Sequence, residues 1–272
     1  AAAKEKRTEM PLSDLHPFEG HPFKVLDDEL MEQTVESIKQ IGVVSPLIVR
    51  PDPEGGFEIL SGHRRLHAAQ LAGLETVPVI VKEMDDDAAI IFMVDSNLQR
   101  ENILPSERAF SYKMKLEAMK HQGQRGDLTS DQVGQKSWAV NQLADDANES
   151  KTQVQRFIRL TNLIPEILDM VDDGRIAFRP AVELSYLTEQ EQSALYDTMG
   201  REDCTPSLAQ AIKMKAFSRD GKLTDAVILS IMEEEKPNQK EQFRIPKERI
   251  SKYFKPGTPA RTMEDTIVKA LD

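Results

Sequence analysis

The sequence FEILSGHRRLHAAQLAG, residues 57–73, joins a short alternating strand to a basic helix through a single glycine. Its first four residues alternate as a β-strand, and the helix runs from about Arg64 to Ala72, where Gly73 ends it. Gly62, at the join, lets the backbone approach a ligand closely, and the first N–H groups of the helix attract an anion. Two consecutive arginines add donors suited to phosphate oxygens. The stretch therefore predicts an α/β domain with a phosphate cradle.

Further strands and helices are predicted on both sides of this stretch. Before it come an amphipathic helix at 30–41, stopped by Gly42, and a strand at 46–50. After it come a strand at 77–81 and a helix at 87–94. We therefore predict a mixed α/β domain at residues 10–105 that contains the phosphate cradle, preceded by a flexible N-terminus at residues 1–9.

A second polar segment, Ser96-Asn97-Leu98-Gln99-Arg100-Glu101-Asn102, follows about thirty residues later. Its side chains are of the kind that hydrogen-bond planar polar groups. An alternative interpretation is a polar helix end stopped by Pro105, with Ser106 as the cap of the next helix. Together with the first segment, it favours an anion-binding site.

Residues 106–120 are predicted to form one long helix, and a glycine-containing loop is expected at 122–136. A helix-turn-helix pattern follows at 141–161. Asn148 suits the left-handed turn, and Ser150 is placed to cap the second helix. We predict that this second helix reads DNA through polar residues on its outer side: Ser150, Lys151, Thr152, Gln153, Gln155, Arg156 and Arg159.

The rest of the chain is predicted to be largely helical. We expect a helical DNA-binding domain at 106–232, a linker at 233–241 and a small carboxy-terminal segment at 242–272. Trp138 is expected to pack near the first helix of the helix-turn-helix. The predicted fold class is α+β, with an α/β nucleotide-binding domain followed by an all-helical one.

Composition limits the classes of protein. The net charge of -11 weighs against non-specific nucleic-acid binding, but residues 151–159 carry three cations and no acid. No apolar run approaches the roughly 20 residues of a membrane span, so we expect a cytoplasmic protein without a membrane partner. The single cysteine, Cys204, cannot form an internal disulfide.

Three sequence boxes resemble the ParB partition-protein family, also called ParB/RepB. The family's Gly-Glu-Arg-Arg box corresponds to residues 62–65, and its Glu-Asn-x-Gln-Arg-Glu-(Asp/Asn)-Leu-x-Pro box corresponds to residues 96–105. An upstream Ser-Ile-x-x-x-Gly-x-x-x-Pro pattern corresponds to residues 37–46. The resemblance covers about residues 10–200.

This resemblance implies a domain that binds CTP with Mg²⁺ and uses the nucleotide to close a dimer into a clamp on double-stranded DNA. It also implies partition of a chromosome, plasmid or mobile element, with a ParA-type ATPase as a possible partner. By carry-over, Asn97 would reach phosphate or Mg²⁺. The implied nucleotide-binding residues are Gly42, Pro46, Gly62, His63, Arg64, Arg65, Asn97, Arg100 and Glu101.

The chain departs from the family at three places. His63 stands where the first box usually has glutamate, and Ser96 replaces a glutamate that is associated with nucleotide hydrolysis in relatives. Because a serine cannot supply that carboxylate, we expect nucleotide binding and leave hydrolysis open. Arg179 lies where relatives have a Gly-His-Ala motif that contacts the operator, so it joins the candidate DNA-binding residues.

Other interpretations remain open on the sequence. His63 and His67 share a helix face and could hold zinc. Residues 85–87 are three aspartates that could form a nuclease centre, although acids before a helix are expected as caps. A sulfiredoxin-like reaction would need Cys204 near the phosphate box. A transcriptional or replication regulator could use the same fold as a nucleotide-independent scaffold.

Overall fold

The computed structural model of the chain describes residues 7–98, 100, 103–126 and 132–234, with 253, 254, 258, 262, 263, 266, 267 and 269. Two compact units are distinguished, Ala1–Met232 and Glu233–Asp272. The predicted linker and carboxy-terminal segment fall mostly outside the described residues. None of the described helices is long and apolar enough to cross a bilayer.

The amino-terminal part is a five-stranded mixed sheet with three helices. The strands are β1 Arg7–Pro11, β2 Leu15–Pro17, β3 Leu47–Pro51, β4 Phe57–Ser61 and β5 Thr76–Val81, in the order β1-β5-β3-β4-β2. The helices are α1 Glu29–Ile41, α2 His63–Leu71 and α3 Asp86–Leu98. Strands β3 and β5 are parallel, and so are β2 and β4, whereas β3–β4 and β1–β5 are antiparallel.

The helices cover both faces of this sheet because successive strand residues point to opposite sides. Ile59 belongs to a buried cluster with residues of α1 and α2. Leu60 belongs to a second cluster with Met93 and Val94 of α3. Ile91 and Leu98 of α3 pack against the large core formed by the helices that follow. Helix α3 therefore joins the sheet to the helices that follow it.

Eight helices complete the first unit within the described residues. They are α4 Pro105–Gly126, α5 Gln132–Asp146, α6 Lys151–Leu160, α7 Pro165–Asp172, α8 Phe178–Leu184, α9 Glu189–Glu202, α10 Leu208–Arg219 and α11 Asp225–Met232. The α+β fold class is thus confirmed. The start of α4 lies next to the predicted domain boundary at 105–106, which stays a prediction.

Two local predictions about the helical part are wrong. The expected loop at 122–136 is largely helical, since α4 continues to Gly126 and α5 begins at Gln132. Trp138 is 56% exposed instead of buried. Its position on the outer side of α5 is set by Ala139 and Leu143, which are the residues that α5 turns toward the core.

Candidate functional site

Two neighbouring cavities lie between α1, the start of α2 and the end of α3. The larger has a volume of about 860 Å³ and the smaller about 220 Å³. Arg64, Arg65 and Arg100 line both cavities. The first and second sequence boxes, which are about thirty residues apart in the chain, therefore meet at one site, as the sequence predicted.

Gly62 gives this site its backbone geometry. It has φ +108° and ψ 20°, a conformation that side-chain-bearing residues rarely adopt. A Cβ at this position would lie 3.0 Å from Cγ of Leu47 and 3.1 Å from Nη2 of Arg65. The strand can therefore turn directly into α2 only with glycine here, and the turn brings the N-terminus of α2 to the smaller cavity.

Arg65 holds the chain that follows α1. Its Nη1 donates hydrogen bonds to the carbonyl oxygens of Ser45 (2.6 Å) and Pro46 (2.8 Å). Burial lowers the pKa of its guanidinium, which nevertheless stays charged at neutral pH. The third sequence box, with Gly42 at the C-terminus of α1, thus forms a wall of the larger cavity. Pro46, also predicted as a nucleotide-binding residue, lines neither cavity, and its carbonyl oxygen accepts the hydrogen bond from Arg65.

Arg64 points in the other direction, toward the start of α1. Its Nη2 lies 3.0 Å from Oδ1 of Asp28, the residue that caps α1 by accepting a hydrogen bond from the backbone N–H of Met31. The hydrogen bond from Arg64 lowers the pKa of the Asp28 carboxyl. Arg64 therefore carries a charge that is already partly balanced, in contrast to Arg65.

His63, the first residue of α2, stacks on His21 at the smaller cavity. Their ring centroids are 3.5 Å apart and the ring planes are inclined by 32°. Burial, together with the nearby His21 and Arg100, lowers the pKa of His63 to about 3. Burial also lowers the pKa of His21 to about 4, although a hydrogen bond with the Phe23 backbone acts in the opposite direction. Both imidazoles are therefore neutral at pH 7.

Both histidines of this pair line the smaller cavity together with the three arginines. Nε2 of each ring is buried and has no hydrogen-bond partner among the described residues. His21 escaped the sequence analysis because it lies 42 positions before its partner, in an irregular segment with no local signal. The three-dimensional arrangement thus adds a second imidazole to the site beside the one in the first box.

The second box contributes the other side of the smaller cavity. Ser96 and Asn97 both donate hydrogen bonds to the carbonyl oxygen of Met93, within the last turns of α3. Arg100 follows, with its guanidinium 6.0 Å from the ring centroid of Phe23. Glu101, the remaining predicted nucleotide-binding residue, lies outside the described residues. The side-chain oxygens that the described residues of this box bring to the cavity are the amide oxygen of Asn97 and the hydroxyl of Ser96.

The zinc interpretation of His63 and His67 does not agree with the structure. His67 directs Nε2 to Oδ1 of Asp27 at 2.7 Å, whereas His63 stacks on His21. Among the described residues, one group of three side chains could hold a metal ion: His16, Asp52 and Glu58. None of these three lines either cavity. Glu58 is moreover engaged by Arg50 at 2.5 Å, which places a cation beside that group.

The three aspartates at 85–87 have separate structural partners. Asp85 accepts a hydrogen bond from the backbone N–H of Ala88 at 2.9 Å, as expected of a residue that caps α3. Asp86 forms an ion pair with Arg50 at 2.7 Å, and Asp87 lies 3.3 Å from His121. Because each of the three carboxylates contacts a different partner near the start of α3, they do not indicate a nuclease centre.

Cys204 lies far from both cavities in the sequence, after α9, and packs partly buried against the helical core. It lines neither cavity. The arrangement required for a sulfiredoxin-like reaction is therefore not present at the phosphate box.

The helix-turn-helix is formed by α5 and α6; α6 and the turn lie within the predicted range of 141–161, whereas α5 begins earlier, at Gln132. Asn148 adopts φ +52° in the turn, and Ser150 caps α6 by accepting a hydrogen bond from the backbone N–H of Gln153. Inward residues Val154 and Leu160 of α6 are fully buried. The remaining side of α6 is left to polar residues.

Most of the predicted DNA-binding residues lie on this polar side. Exposed are Ser150, Lys151, Thr152, Gln155, Arg156 and Arg179, and Gln153 is half-buried. Arg159 differs, because its Nη2 donates to the carbonyl oxygen of Ser185 at 3.1 Å and its guanidinium lies 3.9 Å from the ring centroid of Tyr186. Arg159 thus ties the end of α6 to the residues after α8, and its contact with DNA stays a prediction.

Helix α4 connects the candidate nucleotide site to the helix-turn-helix through polar and charged side chains on one face. Nζ of Lys115 lies 2.6 Å from Asp95 of α3 and 2.7 Å from Asp146 of α5. Arg108 and Tyr112 both donate hydrogen bonds to Oε1 of Glu149, in the turn before α6. The helix that carries the second box is therefore fixed to the helix-turn-helix by buried and half-buried polar contacts.

A comparison with known proteins agrees with this arrangement. The ParB N-terminal domain family matches residues 1–98. A probable chromosome-partitioning protein ParB of Vibrio cholerae is 27% identical over 217 residues, which cover 80% of this chain and 68% of the relative. The chain spans 53–68% of the length of the curated ParB and Spo0J proteins that it matches.

Two solved structures of the Caulobacter crescentus protein ParB, both truncated at the C-terminus, are also similar. The complex with the centromeric parS site is 26% identical, with a TM-score of 0.43, and covers 78% of this chain and 99% of that one. The complex with CTP-gamma-S is 28% identical, with a TM-score of 0.33, and covers 71% and 98%. Residues 1–98 thus match the ParB N-terminal domain family, and the chain is similar in sequence to curated ParB and Spo0J proteins.

Proposed function

We propose that this chain is a DNA-binding partition protein that binds CTP in the cavity between α1, α2 and α3. The relatives that it matches are named chromosome-partitioning proteins. The observation that carries the nucleotide assignment is the cluster of Arg64, Arg65 and Arg100, which the fold brings together at the N-terminus of α2. Partition, a homodimer and a ParA-type ATPase partner are proposed together, because they follow from the family.

We place the two ends of a nucleoside triphosphate in different parts of this site. The three arginines and the N-terminus of α2 provide positive charge and N–H donors at the smaller cavity, which suits the phosphates. The larger cavity, at about 860 Å³, has room for a base and ribose. Its wall at residues 42–45 offers backbone groups for hydrogen bonds. The choice of cytosine among the bases rests on the similarity to ParB proteins, one of which was solved with CTP-gamma-S.

Isothermal titration calorimetry on the full chain tests this assignment. We expect CTP to bind with an affinity at least about tenfold above that of ATP, GTP or UTP. Binding of none of the four nucleotides would contradict the proposal and favour the alternative of a regulator that uses the fold as a nucleotide-independent scaffold. Equal binding of all four would retain a triphosphate site and reject its base selectivity.

The DNA assignment rests on α6. Its apolar side is buried in the helical core, and its outer side presents Lys151, Gln155 and Arg156 to solvent. A second helix of this kind can enter the major groove, with amide and guanidinium groups directed to base edges. The three cations of residues 151–159 give this helix a local positive charge although the whole chain has a net charge of -11.

We expect Arg156→Ala to weaken binding to the protein's specific DNA site by about 10- to 100-fold, because a lost contact to a base or phosphate costs about 1–3 kcal/mol. The specific site can be obtained by sequencing DNA fragments that copurify with the protein. Fluorescence anisotropy at several salt concentrations measures the affinity and its salt slope. Lys39→Ala, which removes an exposed cation from α1, is the matched control. An unchanged affinity for Arg156→Ala would show that this side of α6 does not face DNA.

A further inference from the structure

The side chains at the phosphate end of the site form an unusual set of ligands. The described residues that line the smaller cavity include Arg64, Arg65 and Arg100, the stacked pair His21 and His63, and no aspartate or glutamate. The side-chain oxygens that its described residues provide there are the hydroxyls of Ser61 and Ser96, the latter engaged with a backbone carbonyl, and the amide oxygen of Asn97.

The carboxylates of the larger cavity are already engaged within the protein. Asp28 accepts hydrogen bonds from Arg64 and from the backbone N–H of Met31. Glu107 accepts hydrogen bonds from the backbone N–H groups of Lys24 at 2.6 Å and Leu104 at 3.0 Å. The hydrogen bonds that each carboxylate already accepts reduce the negative charge that it can offer to a cation.

This set of ligands does not suit Mg²⁺. Magnesium prefers oxygen ligands, and protein sites for it usually provide one or two carboxylates beside the phosphates. Imidazole nitrogens suit later transition metals instead. Three guanidinium groups would also repel a divalent cation, whereas they attract the phosphates directly. The Mg²⁺ that the sequence boxes imply is therefore the part of the expected site that these residues do not support.

We propose that the pocket binds its nucleoside triphosphate without a divalent cation. Arg64, Arg65 and Arg100 balance the negative charge of the phosphates, and neutral His63, with its proton on Nε2, donates a hydrogen bond to a phosphate oxygen at the place where a carboxylate and a metal ion would otherwise stand. This inference rests on the proposed nucleotide-binding function. It extends that function by specifying that arginines of the protein, and not a metal ion, balance the negative charge of the phosphates.

Calorimetry on the full chain with CTP, in EDTA and in Mg²⁺, tests the proposal. We expect dissociation constants that agree within about threefold, a difference of less than 1 kcal/mol. Weakening by about tenfold or more in EDTA would overturn it. If Glu101→Ala abolished such a Mg²⁺ dependence, the metal would be assigned to Glu101, and the proposal would again be wrong. Absence of binding in both conditions would overturn the nucleotide function itself, which keeps the two failures distinct.

A double substitution that introduces carboxylates tests the proposal independently, because it should make CTP binding depend on Mg²⁺. His63→Glu with Ser96→Glu places two carboxylates at the smaller cavity, so we expect CTP to bind at least about tenfold more weakly in EDTA and to regain affinity in Mg²⁺. The neutral control, His63→Gln with Ser96→Ala, should show no difference between the two conditions. Thermal unfolding of each variant verifies that it is folded. A control variant that acquired Mg²⁺ dependence would count against the proposal.

Discussion

Lys115→Ala is expected to be the most destabilising single substitution considered for this chain. The side chain of Lys115 is 2% exposed, and its ammonium lies between Asp95 of α3 and Asp146 of α5. Removal of one member of a buried ion pair costs about 3–5 kcal/mol, because the partner charges are left uncompensated. The two aspartate side chains are about half exposed, at 49% and 41%, so water recovers part of this cost. We expect a loss of about 3 kcal/mol.

For a unit of about 230 residues, this loss corresponds to a decrease in Tm of roughly 6–12 °C. Thermal unfolding followed by circular dichroism measures it. Lys115→Met retains most of the aliphatic stem, so it should lose less stability than alanine and separate the packing contribution from the charge. Lys113→Ala, on the same helix, is the matched control, since no ion pair of Lys113 is found among the described residues. A Tm equal to that of the control would show that Lys115 does not hold α3 and α5 together.

Arg65→Ala is expected to weaken CTP binding by about 100-fold, or roughly 3 kcal/mol, because two effects combine. The substitution removes one of the three positive charges from the phosphate end. It also releases the carbonyl oxygens of Ser45 and Pro46, which Arg65 holds at 2.6 and 2.8 Å. Arg64→Ala should have a smaller effect, since the charge of Arg64 is already partly balanced by Asp28.

Calorimetry with CTP measures the loss, and anisotropy without nucleotide measures DNA affinity, which we expect to stay unchanged. Arg65→Lys keeps the positive charge but cannot reproduce the planar pair of donors, so its affinity should lie between the wild type and alanine. Lys39→Ala again controls for a general change in charge. Loss of DNA affinity equal to the loss of CTP affinity would indicate that the substitution disturbs the whole fold.

Short-range patterns in the sequence account for much of the fold and of the candidate site. The strand, glycine and helix of residues 57–73 were predicted because Gly62 and the alternating residues act within a few positions of the chain. The helix-turn-helix was predicted for the same reason, with Asn148 in the left-handed conformation and Ser150 as the cap. Helix α9 was missed, although Thr188 and Glu191 form a capping box that could have indicated its start.

Other features depend on distant parts of the chain. Strand β1 pairs with β5, about seventy positions away, and its five residues carry no pattern strong enough to predict it. The prediction of a loop at 122–136 was wrong because its glycines, Gly123, Gly126 and Gly134, do not prevent helix formation. Helices α4 and α5 both extend into that range. Glycine lowers helix propensity by only about 1 kcal/mol, which packing of a helix can offset.

The amino-acid order alone thus specifies the phosphate turn, the polar face of α6 and the boxes that identify the family, since each depends on local backbone preferences and on periodicity. The stacking of His21 on His63, the ion pairs of Lys115 and the internal engagement of Asp28 arise only when the chain has folded. These contacts join residues that are 20 to 42 positions apart in the sequence. Burial then keeps His21 and His63 neutral and leaves their Nε2 atoms without a hydrogen-bond partner among the described residues. For that reason, the sequence could indicate a nucleotide site, whereas the means by which the site balances the phosphate charge became apparent only from the folded arrangement.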